Sequence, residues 1–375
     1  MNKKVILAIE TSCDETAASV VRCEKTRSGY SFEILSNVVA SQIEIHKKWG
    51  GVYPELASRA HLESIIPVLE RALTPIPEIK NYVDAVAVTV GPGLIGSLLM
   101  GVNAAQTIAS FYNLAVIPIN HLEGHIYSAF LGGEGKSKKS KIKSGIKNSL
   151  QITNYKLQIP KTGIFPILAL IVSGGHSSLV LMDKHLSYET VGQTIDDAAG
   201  EAFDKVARIL NLGYPGGPAI EKLAKSGDES AYKLPLSMLK SRDLNFSFSG
   251  LKTAVLYKTW DPKTQKKKSY NRVNLAASFQ KTIVEILTQK TIQAVKKYHP
   301  KTVILSGGVS ANSYLRKNFA SKLSAILVPP KQLSTDNAVG IGIAGAIKFL
   351  NNKSADWSDI DAIASCPIDL INSPN

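Results

Sequence analysis

The 375-residue chain contains 44% apolar and 20% charged residues, a composition typical of globular proteins that can bury two cores. Its formal net charge of +14 favours a polyanionic partner. The three cysteines are odd in number and form no CxxC pair, which argues against a disulfide framework and against a thiolate zinc site.

The chain begins with a predicted strand, polar turn and second strand. Val5 to Ile9 predicts a buried strand, and this run meets Glu10 too early for the apolar region of a signal peptide. Residues 10–16 form the turn, and Ala17 to Val21 predicts the second strand. Residues 165–182 repeat this plan, so we expect an internal duplication. Such glycine- and hydroxyl-rich loops can bind phosphate, but each alone is typical of an ordinary hairpin.

Helices and strands alternate between the two hairpins. A glycine turn at residues 50–53 opens a helix that ends near Leu73, and residues 84–90 predict a strand. The apolar stretch 94–111 carries Ser97, Asn103 and Gln106 among its residues, which favours a buried helix over a membrane span. A strand over residues 114–119 follows. The alternation predicts a mostly parallel sheet covered on both faces, in a cytoplasmic protein without a membrane span.

Two histidines four residues apart, His121 and His125, follow that strand and share one helical face. Such a pair alone is more often structural than metal-binding. A zinc protease carries its glutamate next to the first histidine, whereas Glu123 lies on the opposite side at about 100° per residue. Two imidazoles with one carboxylate would suit Fe²⁺ or Zn²⁺ acting on a substrate oxygen.

A lysine-rich segment separates the two halves of the chain. Residues 133–162 contain eight lysines and one glutamate, a net charge of +7. Their lack of periodicity predicts a flexible insertion, with a solvated linker favoured over an RNA-binding arm.

The second half contains three further loops that feed helices. A helix from about Ala198 places Gly200 and Asp204 on one face, and residues 214–218 form a loop before another helix. The strand 302–305 breaks at a glycine pair and restarts as a helix, an arrangement that directs N–H groups at a ligand. Asp336 precedes a helix of small residues, where it could face a cleft.

A series of segments, in order along the chain, resembles the motifs of the bacterial TsaD family of tRNA threonylcarbamoyladenosine transferases, which is related to the universal Kae family. The segments are residues 10–16, 50–61, 91–93, 120–125, 172–176, 196–205, 214–218, 246–252, 306–316 and 335–338. The resemblance spans the chain apart from the lysine-rich insertion and roughly the last ten residues.

The resemblance implies an α/β fold of two duplicated lobes, similar to actin, sugar kinases and the Hsp70 ATPase, with the active site in the interlobe cleft. We expect an N-terminal lobe over residues 1–132 with the histidine pair near its end, and the insertion over 133–162. A C-terminal lobe with nucleotide-binding loops then covers 163–337. Residues 338–375 are expected to form a helix that returns to the N-terminal lobe, followed by a tail.

The resemblance also implies which residues form the site. The metal ligands correspond to His121, His125 and Asp336, which would hold one divalent ion per subunit, Fe²⁺ ahead of Zn²⁺. Residues that would bind threonylcarbamoyl-adenylate or ATP/ADP are Ile171, Val172, Ser173, Gly174, Gly175, Asp204, Gly217, Glu221 and Asn312. Further candidates are Glu10, Ser12, Gly307 and Gly308. No residue stands out as the general base.

The implied reaction transfers a threonylcarbamoyl group from its adenylate to the exocyclic amine of the adenosine 3′ of the anticodon, releasing AMP. The tRNAs concerned read codons that start with A. The implied partners are tRNA, the inactive paralogue TsaB, the small ATPase TsaE and a separate synthase that makes the adenylate. A membrane is not expected as a partner.

The chain departs from the family pattern at three places. Ser177 replaces a usual threonine and keeps the hydroxyl, and Gly340 replaces a usual methionine, which predicts looser packing after Asp336. The insertion is the third departure.

A sugar kinase or chaperone ATPase would carry Asp-x-Gly in the first hairpin, which residues 10–12 lack. A basic DNA-binding or structural protein would explain the charge but not the histidines.

Overall fold

A mixed sheet with helices on both faces forms the first lobe in a computed structural model that describes residues 3–132, 149–152 and 155–370. Its elements are β1 (Lys4–Glu10), β2 (Glu15–Lys25), β3 (Gly29–Ser41), α1 (Ile43–His46), α2 (Pro54–Ala72), α3 (Ile79–Tyr82), β4 (Ala85–Gly91), α4 (Ile95–Tyr112), β5 (Ala115–Asn120), α5 (His121–Ser128), β6 (Ser149–Ile152) and β7 (Tyr155–Pro160). The strand order is β5-β4-β1-β2-β3, and β6 and β7 both pair with β3.

The second lobe repeats this arrangement with a five-stranded sheet. Its elements are β8 (Ile167–Val172), β9 (Ser177–Lys184), β10 (Ser187–Gln193), α6 (Ala199–Ile209), α7 (Gly216–Ala224), α8 (Ser249–Thr259), β11 (Trp260–Asp261), β12 (Lys266–Lys267), α9 (Arg272–Tyr298), β13 (Thr302–Ser306), α10 (Ser313–Lys322) and β14 (Ile326–Leu327). The last helix, α11 (Ala338–Leu350), follows these elements in the chain and packs on the first lobe. The strand order is β14-β13-β8-β9-β10.

The two sheets share one topology. β1 pairs antiparallel with β2 and parallel with β4, and β8 pairs antiparallel with β9 and parallel with β13. The predicted duplication and the two-lobed α/β fold are therefore confirmed. The prediction of mostly parallel sheets is wrong, because both sheets are mixed. Each hairpin is antiparallel, and its second strand also pairs antiparallel with the next strand, β2 with β3 and β9 with β10. The strand β3 was not predicted at all.

The predicted flexible insertion is partly wrong. Tyr155, Leu157 and Ile159 are buried and alternate with exposed residues, so this segment forms an amphipathic strand along the edge of β3. The alternation covers only six residues next to many lysines, which hid it in the sequence. Backbone pairing with β3 also fixes residues 149–152 as a strand. Residues 133–148, which carry most of the lysines, lie outside the described residues.

Helix α11 covers one face of the first sheet, and α2 and α4 cover the other. Alternating residues of β1 divide between these layers: Ile6 and Ala8 pack with α11, whereas Leu7 and Ile9 pack with α2 and α4. Glycines let α11 approach closely, since a Cβ added to Gly345 would lie 2.5 Å from the Ala87 Cβ. The C-terminal helix is therefore a part of the first lobe's core.

Among the described helices, none combines the length and apolarity that a membrane crossing requires.

Candidate metal centre

The helix α5 begins at the end of β5, and a capping box fixes its first turn. The Asn120 side chain accepts a hydrogen bond from the backbone N–H of Leu122 at 2.9 Å, and the Glu123 carboxylate accepts one from the backbone N–H of Asn120 at 3.0 Å. His121 and His125 then lie one turn apart, with ring centroids separated by 4.5 Å. Both histidines are buried.

Asp336 brings a carboxylate to this pair from the loop before α11. Its Oδ1 lies 3.3 Å from Nε2 of His125 and 3.7 Å from Nε2 of His121. One ligand atom from each of the three residues lies within 4.8 Å of the others. Asn337 caps α11 by accepting a hydrogen bond from the backbone N–H of Val339 at 3.0 Å, which fixes the chain directly after Asp336.

Glu10 and Ser12, from the first hairpin, orient the ring of His121. Glu10 Oε2 accepts from Nδ1 of His121 at 3.0 Å, and Ser12 Oγ lies 2.9 Å from the same nitrogen. Glu10 is in turn fixed by the backbone N–H of Ser12 at 2.6 Å and by the Thr89 hydroxyl at 2.8 Å. A carboxylate on one imidazole nitrogen directs the other nitrogen to an ion.

The charges and hydrogen bonds of this cluster fit a divalent cation. Burial lowers the pKa of His121, but the carboxylates of Asp336 and Glu10 outweigh burial and raise it to about 9. Burial raises the pKa of Asp336, yet His121 and His125 hold it well below its ordinary value. Nε2 of His125 is buried and has no hydrogen-bond partner among the described residues, as expected for a metal ligand.

His176, which follows the second hairpin's glycines, faces the same cluster from the other lobe. Its ring centroid lies 6.1 Å from that of His121. Burial, together with the neighbouring His121 and His125, lowers the pKa of His176 to about 4. A neutral imidazole therefore borders the cluster at neutral pH.

The helices α5 and α11, which flank the His121–His125–Asp336 cluster, are joined by a buried ion pair. Lys348 of α11 donates to Glu123 of α5 at 2.7 Å and to the Pro118 carbonyl at 3.0 Å, and both charged side chains are buried. Glu123 thus points away from the histidines, which confirms that it cannot act as a protease-type base. The expected loose packing at Gly340 is wrong: a Cβ there would lie 2.0 Å from the Gly124 carbonyl oxygen. Glycine permits close backbone contact between α5 and α11.

Glycines of the second lobe line open space. A Cβ added to Gly174, Gly175, Gly217 or Gly308 would meet no described atom within 4 Å. None of these four glycines has a left-handed φ, so space for a ligand explains them better than backbone strain does. Gly307 differs, since its φ is +85° and a Cβ would lie 2.4 Å from the Val172 carbonyl oxygen.

The other predicted substrate residues have partners within the protein. The side chains of Ile171 and Val172 are fully buried, which leaves only their backbone for a ligand. The hydroxyl of Ser173 accepts from the backbone N–H of His176 at 3.1 Å. The hydroxyl of Ser177, where the family prefers threonine, accepts from the backbone N–H of Ala199 at 2.8 Å and so fixes the start of α6.

Asp204, Glu221 and Asn312 also stabilise loops. Asp204 accepts from the backbone N–H of Gly216 at 2.7 Å, and burial raises its pKa to about 6. Glu221 accepts from the backbone N–H of Ser313 at 3.2 Å. Asn312 caps α10 at 2.9 Å and donates to Gln280 Oε1 at 3.0 Å. Their binding of substrate stays a prediction.

Two residues of the site were missed in the sequence. Lys348 is a single lysine in the otherwise apolar helix α11, a pattern that could have marked a buried ion pair. Thr89 lies within a fully buried strand and gave no such signal.

The fold and the cluster define a two-lobed α/β protein of the actin-like fold class with a His–His–Asp group that could hold a metal ion. Two HypF crystal structures share this fold. The full-length HypF in its phosphate- and nucleotide-bound form has a TM-score of 0.54 at 14% identity and covers 94% of this chain. HypF of T. kodakarensis has a TM-score of 0.58 at 11% identity and covers 93%. The chain spans about half of each HypF chain, 47% and 48%.

Sequence comparison identifies the family within that class. Residues 33–142 and 144–343 match the TsaD family, tRNA N6-adenosine threonylcarbamoyltransferase. A protein of that name from Listeria welshimeri is 45% identical over 359 residues, 94% of both chains. Another from Bacillus subtilis is 46% identical over 349 residues, 92% of this chain and 90% of that protein. The chain belongs to the TsaD family, which confirms the resemblance seen in the motifs.

Proposed function

We propose that this chain transfers the threonylcarbamoyl group of threonylcarbamoyl-adenylate to the exocyclic amine of the adenosine 3′ of the anticodon. The acceptors are tRNAs that read codons starting with A. The amine nitrogen bonds to the carbamoyl carbon, the bond from that carbon to the AMP phosphate oxygen breaks, and one amine proton leaves. The observation that carries this proposal is the cluster of the buried His121 and His125 with the partly buried Asp336, in a chain of this transferase family.

The three ligands would hold one divalent ion per subunit, with Fe²⁺ preferred and Zn²⁺ as the alternative. Imidazole and carboxylate ligands suit both ions. When bound, the ion supplies positive charge that polarises a carbonyl oxygen. Glu10 and Ser12 would hold the His121 ring in its binding orientation, because both contact its Nδ1.

The second lobe would bind the adenylate, or ATP/ADP in its place. Backbone N–H groups at Gly174, Gly175, Gly217 and Gly308 are suited to phosphate because a ligand can approach them closely. Ile171 and Val172 would contribute backbone, and the remaining predicted contacts come from polar side chains. Those side chains are Ser173, Asp204, Glu221 and Asn312. Gly307 would shape the loop.

The organisation of the chain supports the same proposal. We assign residues 1–132 to the lobe that bears the histidine pair and 163–337 to the nucleotide-binding lobe, with 338–375 returning to the first. We further propose that the protein acts in the cytoplasm on tRNA, together with TsaB, TsaE and a separate synthase of the adenylate. An already unpaired anticodon-loop adenosine needs little energy to enter a cleft.

The proposal is tested by reconstitution. Purified protein, its partners, ATP, threonine, bicarbonate and unmodified tRNA are incubated, and the tRNA is digested and scored for threonylcarbamoyladenosine. We expect product that depends on this chain. A tRNA with guanosine at the target position is the matched control and should give none. Absence of product from the adenosine tRNA, with the adenylate demonstrably formed, would overturn the proposal.

A further inference from the structure

Two exposed aromatic rings lie on the loop between α1 and α2, here called the aromatic loop (residues 47–53). Trp49 is 62% and Tyr53 is 47% exposed. Their ring centroids are 5.5 Å apart, with an interplanar angle of 31°. Large aromatic surfaces in water are unfavourable, and paired ones typically mark a binding surface.

The backbone of the aromatic loop is anchored to a buried histidine. The backbone N–H of Trp49 donates to the carbonyl of His46 at 2.9 Å, and that of Tyr53 donates to Nδ1 of the same residue at 3.3 Å. His46 is fully buried, with its Nε2 3.1 Å from Gln42 Oε1. The rings are therefore presented on a preorganised backbone, which lowers the entropic cost of binding a ligand.

The aromatic loop touches the second lobe beside the candidate nucleotide site. Arg208 of α6 donates to the Gly50 carbonyl at 2.6 Å. The φ of Gly50 is +67°, a conformation that suits glycine. Arg208 lies one helical turn after Asp204, a candidate substrate residue. The loop that carries the two rings therefore contacts the second lobe one helical turn from a candidate substrate residue.

The residues that flank the rings in sequence carry a small positive surplus. Glu44 lies 3.8 Å from Lys47, and Glu55 lies 2.7 Å from Arg59, so both nearby carboxylates have cationic partners. Lys48 has no ion-pair partner within the described part of the chain. An aromatic pair with a positive surplus is suited to stacked bases next to phosphates, whereas a protein partner would need no such charge.

We propose that Trp49 and Tyr53 form a stacking platform for an unpaired nucleobase of the tRNA anticodon loop, with Lys48 near a neighbouring phosphate. This inference rests on the proposed function and specifies how its RNA substrate is held. Proteins recognise single-stranded RNA loops largely by stacking splayed bases on aromatic rings. A base held at the meeting point of the lobes would fix the register of the loop, so that the target adenosine enters the cleft.

The test measures binding of an anticodon stem-loop RNA by the full chain. Trp49→Ala should bind it roughly 10- to 100-fold more weakly, and Trp49→Phe, which keeps a ring, within about threefold of the parent. The matched control is Trp357→Ala, which removes an exposed tryptophan, 42% exposed, in the 3₁₀ helix Trp357–Asp359 and should leave RNA affinity unchanged. ADP affinity should be the same in all variants.

Salt dependence separates stacking from charge. Lys48→Ala should reduce the slope of log affinity against log salt by about one, whereas Trp49→Ala should lower affinity without changing the slope. Unchanged RNA affinity in Trp49→Ala would overturn the platform. Weaker binding of a partner protein with unchanged RNA affinity would also overturn it.

The two proposals fail in distinguishable ways. If the parent modifies tRNA and Trp49→Ala binds and modifies it equally well, only the platform is wrong. If the parent neither binds nor modifies tRNA, the proposed function fails and the platform with it.

Discussion

The two hairpins of the duplicated lobes have one topology and different chemistry. In the first, Glu10 and Ser12 project side chains that fix the ring of His121, so its loop is filled with polar contacts. In the second, Gly174 and Gly175 leave space in which an added Cβ would meet no described atom within 4 Å. The first lobe therefore offers fixed charged groups, and the second offers backbone to a ligand. Under the proposed function, one fold repeated twice would separate metal binding in the first lobe from nucleotide binding in the second.

Removal of Asp336 should have the largest effect, because it deletes a proposed metal ligand of the first lobe's site. Asp336→Ala should reduce tRNA modification by roughly a thousandfold and lose the bound metal. Metal content by mass spectrometry and nucleoside analysis check this. The control is His299→Asn, which changes an exposed histidine at the end of α9 and keeps a residue that tolerates its φ of 48°. Full activity in Asp336→Ala would remove the distinction between the lobes.

Breaking the buried ion pair between Lys348 of α11 and Glu123 of α5 should have the next largest effect. Lys348→Met removes the cation 2.7 Å from the buried Glu123 carboxylate and should lower the free energy of unfolding by about 3 kcal/mol. Thermal or denaturant unfolding measures this. The double variant Glu123→Gln/Lys348→Met should recover most of the loss, and the exposed Lys353→Met should show none. Equal stability of Lys348→Met and the parent would show that this ion pair does not stabilise the packing of α11 on α5.

Asp204 of the second lobe should make stability depend on pH. Burial raises its pKa to about 6 from an ordinary 3.8, so the folded state binds the proton more tightly than the unfolded state. Its contribution to stability should therefore fall as pH rises from about 4 to 6 and stay constant above. Relative to Asp204→Asn, the parent should lose about 2 kcal/mol over this range, after allowance for screening by solvent. Parallel stability curves for the two proteins would refute this.

Filling the open space of the second lobe should have the smallest effect on the fold. Gly217→Ala adds a methyl group that meets no described atom within 4 Å, so its melting temperature should match that of the parent. ADP should bind about tenfold more weakly, as the methyl group occupies ligand space. Calorimetry measures both quantities. Gly250→Ala, near the start of α8, is the matched control and should retain ADP affinity. Unaltered ADP binding by Gly217→Ala would place the nucleotide elsewhere.

The sequence predicted the features that depend on local pattern. Strand–loop–strand repeats, helix caps and the four-residue spacing of His121 and His125 are all short-range signals, and each is confirmed in the fold. The family resemblance supplied Asp336, which the spacing of residues alone could not pair with the histidines. The structure brings its carboxylate within 3.3 Å of His125.

Features that depend on tertiary contact were missed. The contact of Gly340 with Gly124 depends on how two helices that are distant in sequence cross. From the sequence alone, glycine in place of the usual methionine predicts looser packing. In the structure, the glycine allows the two helices to pack more closely. The strand β7 acquires its structure by pairing with β3, and its six residues are too few to stand out beside the lysines. Thr89 contacts Glu10 across neighbouring parallel strands, a register that the sequence does not state.

Helix α11 has a consequence for the synthesis of the protein. One face of the first sheet packs against this helix, whose residues 338–350 emerge from the ribosome only after strands β8 to β14 of the second lobe. Until then, Ile6, Ala8 and Ile119 lack their partners in the core. One face of the N-terminal lobe's sheet therefore stays exposed in the nascent chain until the C-terminal lobe has been synthesised. The order of synthesis is not the order in which its lobes can finish folding.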